Sequence, residues 1–251
     1  MTSITTLGRR AFLQFLSSAA LTAALPQSIE RALAIPAHQH KGSIEDVEHV
    51  VFLMQADGST DAANGKFRID FANTGEAGAC LQVRSGNTAD GPRTYTVEAG
   101  KSLSDTWSVD AQGRYDLSVY GPNGFMRAFK GAVSQPAKAN LDVDCSYDRD
   151  DRDIRLRITN LGRVTCRVTV TNVYDHGAAT HVLRPGQSLR ERWSLGSSFR
   201  WYDLSVEVDT DENFLRRLAG HVENGRDSMS DPALGGLRRI GHARSCVAVM
   251  G

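Results

Sequence analysis

Hydrophobic and polar positions alternate with period two through most of the chain after residue 60. Phe67, Ile69 and Phe71 are separated by Arg68 and Asp70, and Ile154, Leu156 and Ile158 by Arg155 and Arg157. That spacing puts the apolar set on one face of a strand and the charges in water. Asn73-Thr74-Gly75 and Asn160-Leu161-Gly162 follow with turn chemistry, and Ala99-Gly100 and Pro185-Gly186 turn the chain again. Leu103 and Trp107 share the next strand face, as do Leu189 and Trp193. Tyr115, Leu117 and Val119 share another, matched by Tyr202, Leu204 and Val206. Several short strands at this spacing predict small antiparallel β-sandwiches.

The matches are an internal repeat. FRIDFANTG (Phe67–Gly75) returns as IRLRITNLG (Ile154–Gly162), and TYTVEAGKSLSDTWS (Thr94–Ser108) as THVLRPGQSLRERWS (Thr180–Ser194). YDLSV (Tyr115–Val119) returns unchanged at Tyr202–Val206, and FMRAFKG (Phe125–Gly131) as FLRRLAG (Phe214–Gly220). The order is kept and the offset stays near about 87 residues, so the chain contains a tandem duplication. The expected fold is all-β: two tandem antiparallel β-sandwiches, the first over residues 56–136 and the second over 137–233, with a tail from 234 to 251. LDVDCSYD (Leu141–Asp148) reads as the opening strand of the second unit. In the first, the apolar run VEHVVFLMQ (Val47–Gln55) is expected to take that place, as a substitute for a strand lost before Asp57. Its poor alternation predicts an imperfect fit. The two tryptophans are expected in the cores. Asp105 and Glu191 fall on the nominally inward face, so either a bulge turns each outward or each pairs with a basic group. The turn GPNGFM (Gly121–Met126) either displays Phe125 and Met126 to lipid or begins a core strand.

The first 37 residues read differently. Arg9 and Arg10 precede Ala11, Phe12 and Leu13, an apolar run continues to Leu25, and small residues follow at Ala32-Leu33-Ala34. The run, about 15 residues, is short for a bilayer span. The order of charge, apolar stretch and small-residue site is that of an export signal, and the paired arginines before Phe12 and Leu13 look like the twin-arginine type. The expected partner is the twin-arginine export machinery and the expected location periplasmic or secreted. Lys plus Arg and Asp plus Glu are 29 each, so no broad basic field favours nucleic acid.

Candidate chemistry is sparse. Cys80, Cys145, Cys166 and Cys246 form no Cys-x-x-Cys, and in an exported chain they either pair or stay as buried thiols. The histidines are His38, His40, His49, His176, His181, His221 and His242; none shows ligand spacing beyond His38-Gln39-His40 in the linker. DVDCSYDRDDRD (Asp142–Asp153) is acidic but lacks the Gly and closing Glu of a calcium loop, and Arg149 and Arg152 interrupt it. No phosphate loop or G-x-S-x-G is present. No metal or cofactor is expected.

RRAFLQF with GSIEDVEHVVFLMQ resembles the start of bacterial phosphocholine-preferring phospholipases C. FRIDFANTG, YTVEAGKSLSDTW, YDLSVYGPNGFMRAFKG and GHVENGRDSMSDP resemble the paired C-terminal domains of the same enzymes. In that family V-E-H-V-V-[IF]-L-M-Q runs into the active-site motif E-N-R-S-F-D-H. Here Gln55 is followed by Ala56, Asp57 and Gly58, so no family catalytic residue can be carried over. The resemblance implies an internally deleted phospholipase C: export signal over 1–37, remnant of the first catalytic-domain strand over 38–55, then the two accessory domains. The expected catalytic set is empty, and the expected role is a non-catalytic module meeting phospholipid or a membrane surface. The alternatives are the family's own hydrolysis of phosphatidylcholine and a gene remnant without activity.

Overall fold

The structure is a computed structural model that describes residues 51–133, 140–147, 153–175, 177–226 and 228–233. The leader with Arg9, Arg10, Phe12 and Leu13, and the tail from 234, lie outside the described residues. Fourteen strands and no helix make up the described chain. The first repeat holds β1 (Met54–Asp61), β2 (Lys66–Asn73), β3 (Ala79–Ser85), β4 (Arg93–Val97), β5 (Lys101–Ser108), β6 (Arg114–Tyr120) and β7 (Met126–Ala132). The second holds β8 (Leu141–Tyr147), β9 (Asp153–Asn160), β10 (Cys166–Asn172), β11 (Gly177–Leu183), β12 (Ser188–Ser194), β13 (Trp201–Val208) and β14 (Asp211–His221). The all-β antiparallel expectation holds.

Each repeat packs a three-stranded sheet, β1-β2-β5 or β12-β9-β8, against four strands of a second sheet. The alternation seen in sequence fills the space between. Phe67, Ile69 and Phe71 of β2 meet Leu81, Val83, Leu117 and Val119 in one core; Ile154, Leu156 and Ile158 meet Val168, Val170, Leu204 and Val206 in the other. Burying these side chains is the main stabilising term of each sandwich.

The two sandwiches are not separate. β7 and β14, the last strand of each repeat, pair antiparallel, so the second sheets fuse into one of eight strands in the order β11-β10-β13-β14-β7-β6-β3-β4. Met126 faces Ala219, Arg127 faces Leu218 and Lys130 faces Leu215. Ala128 lies opposite Arg217 at the middle of this seam, where a local pseudo-two-fold axis relates the repeats. The pairing removes two sheet edges that would otherwise expose unpaired backbone groups.

The opening strand differs from its sequence expectation. β1 runs Met54–Asp61 and pairs with β2 from Met54↔Asn73, as β8 pairs with β9 from Leu141↔Asn160. MQADGSTD is therefore the counterpart of LDVDCSYD, and the first repeat keeps its own first strand. The apolar residues before it extend the pairing: Leu53 O accepts from Thr74 N at 2.8 Å and Val51 O from Glu76 N at 3.1 Å. Residues 47–50 lie outside the described residues.

The turns kept by both repeats have a physical role. Asn73 is buried; its Nδ2 donates to Ala77 O at 2.8 Å and Val97 O at 2.9 Å, while its Oδ1 accepts from Gly75 N at 3.0 Å. Asn160 repeats this with Val164 O, Leu183 O and Gly162 N at 2.8, 3.1 and 2.9 Å. Each asparagine ties the small sheet to the edge of the large one with both amide N–H groups and its carbonyl oxygen engaged.

Candidate functional site

Two arginines sit inside the seam. Arg127 is 2% and Arg216 4% exposed. Arg127, from the first repeat, donates through Nη2 to Tyr202 Oη of the second at 3.0 Å, and through Nη1 to Ala219 O at 3.1 Å. Arg216, from the second repeat, donates to Tyr115 Oη of the first at 2.7 Å and to Lys130 O at 2.8 Å. Each guanidinium also lies over aromatic faces, Arg127 over Phe125 at 4.3 Å and Arg216 over Phe214 at 4.4 Å. A cation taken out of water needs such partners. The exchange is reciprocal because the strands that carry it are related by the pseudo-two-fold axis. Glycines make room for the phenols. A Cβ on Gly131 (φ +150°) would fall 2.6 Å from Tyr115 Oη, and one on Gly220 (φ +157°) 2.8 Å from Tyr202 Oη. Burial pushes the Tyr202 phenol up, with Arg127 acting against the shift.

Phe125 is buried under Arg127, so it belongs to the core rather than to a lipid-facing turn. Trp107 is buried and Trp193 packs half-buried against its core. Asp105 and Glu191 pair with basic groups, and the β2–β5 and β9–β12 registers run unbroken beneath them. Asp105 Oδ2 accepts from Arg93 Nη1 at 2.9 Å and Tyr95 Oη at 2.6 Å, and Oδ1 from Thr106 N at 2.7 Å. Burial alone would raise this carboxyl, but the three hydrogen bonds outweigh it and hold it below the usual range. Burial, with the Asp105 carboxylate, pushes the Tyr95 phenol up to about 12. In the second repeat His181 takes the place of Tyr95, with Nε2 3.0 Å from Glu191 Oε1.

Cys80, Cys145 and Cys166 are free thiols, Cys80 exposed and the other two buried; Cys246 lies outside the described residues. Of the histidines only His181 and His221 are described. His221 Nε2 lies 2.6 Å from Ser228 Oγ and 3.2 Å from Phe199 O. A cleft of about 580 Å³ opens where the repeats meet, lined among others by Asp110, Asp116, Lys130, Glu207 and Glu212. Its bases are taken up by its acids: Lys130 pairs with Asp116 at 2.9 Å and Arg114 with Asp110 at 2.8 Å.

The outer faces of the two small sheets have diverged. On the first, Arg68 opposes Thr106, Asp70 opposes Ser104, and Asp57 opposes Asp70. On the second, Arg155 opposes Arg192, Arg157 opposes Arg190, and Asp144 opposes Arg157. All four of these second-sheet arginines are exposed. They line a shallow depression of about 370 Å³ together with Asp144, Ser146, Leu156 and Glu191. Alternation marks Arg155 and Arg157 as outward in the sequence; that Arg190 and Arg192 stand beside them depends on the β9–β12 register, which the sequence alone leaves open.

Known proteins match this architecture at the level of sequence. The family described as bacterial phospholipase C, C-terminal domain, matches residues 54–132 and again 141–221, one copy per repeat. A non-hemolytic phospholipase C of Burkholderia pseudomallei is 50% identical over 181 residues, covering 70% of this chain and 26% of that protein. The hemolytic phospholipase C of Pseudomonas aeruginosa is 40% identical over 212 residues, covering 74% and 29%, and a non-hemolytic one from the same species 42% identical over 174 residues, covering 66% and 25%. The chain spans about a quarter of the length of these relatives.

Proposed function

This chain belongs to the family of bacterial phospholipase C C-terminal domains, and we propose that it acts as an exported, non-catalytic module that holds a phospholipase C-like protein at a lipid or cell surface. The observation that carries this reading is the use of the buried polar groups. Arg127, Arg216, Tyr115 and Tyr202 are turned inward and satisfy one another across the repeats. A hydrolytic site needs a nucleophile, an oxyanion stabiliser and an acid converging on an open pocket. What this module presents outward is the polar faces of its sheets, joined across the β7–β14 seam, a surface suited to adhesion. The absence of the family's E-N-R-S-F-D-H run after Gln55 supports the same reading, as does the twin-arginine pattern at Arg9 and Arg10 for export.

Phosphatidylcholine hydrolysis is the second reading, favoured by the names of the relatives. Flotation of the purified protein with mixed phospholipid vesicles tests the surface role: co-migration with the vesicle band is expected, and protein left wholly at the bottom of the gradient overturns it.

A further inference from the structure

We infer that the outer face of the β8-β9-β12 sheet, centred on Arg155, Arg157, Arg190 and Arg192, is the surface by which the module docks on a bilayer of anionic phospholipid. The inference rests on the surface-binding reading above and gives it a site and a ligand chemistry.

Like charges directly opposite one another on neighbouring strands destabilise a sheet. The second small sheet carries two such pairs side by side, Arg157↔Arg190 and Arg155↔Arg192. The first small sheet, with the same strands and register, has Asp70↔Ser104 and Arg68↔Thr106 at the equivalent places. The first sandwich forms with only Arg68 at these four places, and all four arginines of the second are exposed on the face away from the core. Acids stand beside them, and Arg155 and Arg192 interact with further groups. Asp144 pairs with Arg157 at 3.0 Å and Asp153 pairs with Arg192. Among the described residues Arg190 makes no ion pair.

The chemistry of the face selects its partner. Four guanidiniums around a shallow depression present planar donor forks, which match the oxygens of phosphodiesters. Neighbouring β9 and β12 carry them on one side of the sheet, where a bilayer surface can meet them together. Nucleic acid fits less well. Among the described residues the outer row of β8, β9 and β12, which also carries Asp142, Asp144 and Asp153, has no aromatic side chain on which a base could stack. The attraction is local to the face, and it is of the kind that anionic headgroups exert on basic clusters at close range.

The experiment compares the full chain with the single variant Arg190→Ser, the double variant Arg157→Ala/Arg190→Ser and the charge-preserving Arg190→Lys. Partition is measured onto vesicles of phosphatidylcholine alone and of phosphatidylcholine with phosphatidylglycerol. Ser stands at the matching position in the first repeat, and thermal unfolding checks that each variant folds. Expected are preferential binding to the phosphatidylglycerol vesicles and a loss of about fivefold for Arg190→Ser. The double variant should lose roughly thirtyfold, Arg190→Lys should keep most of the binding, and added salt should weaken it throughout. Equal binding to both vesicle types, unchanged in the variants, overturns the arginine face while leaving the surface role standing. Binding to neither vesicle type overturns both. Arginine-dependent binding to single-stranded DNA without binding to phosphatidylglycerol vesicles overturns the lipid assignment.

Discussion

The guanidinium of Arg127 in the first repeat reaches the phenol of Tyr202 in the second at 3.0 Å, and Arg216 returns the contact to Tyr115 at 2.7 Å. The pairs are copies of one another, since FMRAFKG corresponds to FLRRLAG and YDLSV to YDLSV. The duplication thus built a seam in which each half completes the other. Tyr202→Phe or Tyr115→Phe leaves a buried guanidinium N–H without its acceptor and should cost about 1–2 kcal/mol each. Because β7 and β14 join the repeats, chemical denaturation should remain a single transition in the wild type, followed by tryptophan fluorescence and circular dichroism together. Two separated transitions would show that the repeats fold independently.

The glycines beneath the phenols allow a second test. Gly220→Ala places a methyl 2.8 Å from Tyr202 Oη, and Gly131→Ala one 2.6 Å from Tyr115 Oη. Each should destabilise by about 1–3 kcal/mol through overpacking. Gly186→Ala, where no atom lies within 4 Å of the new methyl but φ is +75°, separates backbone strain from crowding. It should cost about 1 kcal/mol. Denaturation midpoints of the three variants check the order.

Acid sensitivity should centre on Asp105. Its folded-state carboxyl lies below the ordinary value of 3.8, so its stabilising contribution is present above that value and is lost as pH falls through the folded one. Between about pH 6 and about pH 2 the wild type should lose melting temperature steeply at the acid end. Asp105→Asn should start lower and fall less. Parallel curves for the two proteins would remove Asp105 from the acid transition.

Much of this fold is legible in the sequence, for reasons that particular residues make clear. Phe67, Ile69 and Phe71 alternate cleanly because β2 has one buried and one wet face, and the repeat at Ile154, Leu156 and Ile158 confirms the period. The seam is harder to read. Arg127 and Arg216 look like outward charges, and only their aromatic and carbonyl partners across the repeats make burial possible. The opening strand misleads for the opposite reason. The apolar run at Val47–Met54 draws attention away from MQADGSTD, whose Gly58 and Ser59 look like a turn. Gly58 is small because Phe67 and Phe129 crowd it, and a Cβ there would lie 2.5 Å from the Phe67 ring. The arginine face is half legible, since alternation says which way a side chain points but not which strand lies beside it.

We propose that this chain serves a lipid surface without cleaving lipid. Release of phosphocholine from phosphatidylcholine vesicles by the purified full chain, against a heat-inactivated control, tests it most directly. No release above the control is expected, at protein concentrations where the vesicles are visibly bound. Sustained release that scales with protein concentration would contradict it and would place a catalytic site in this chain.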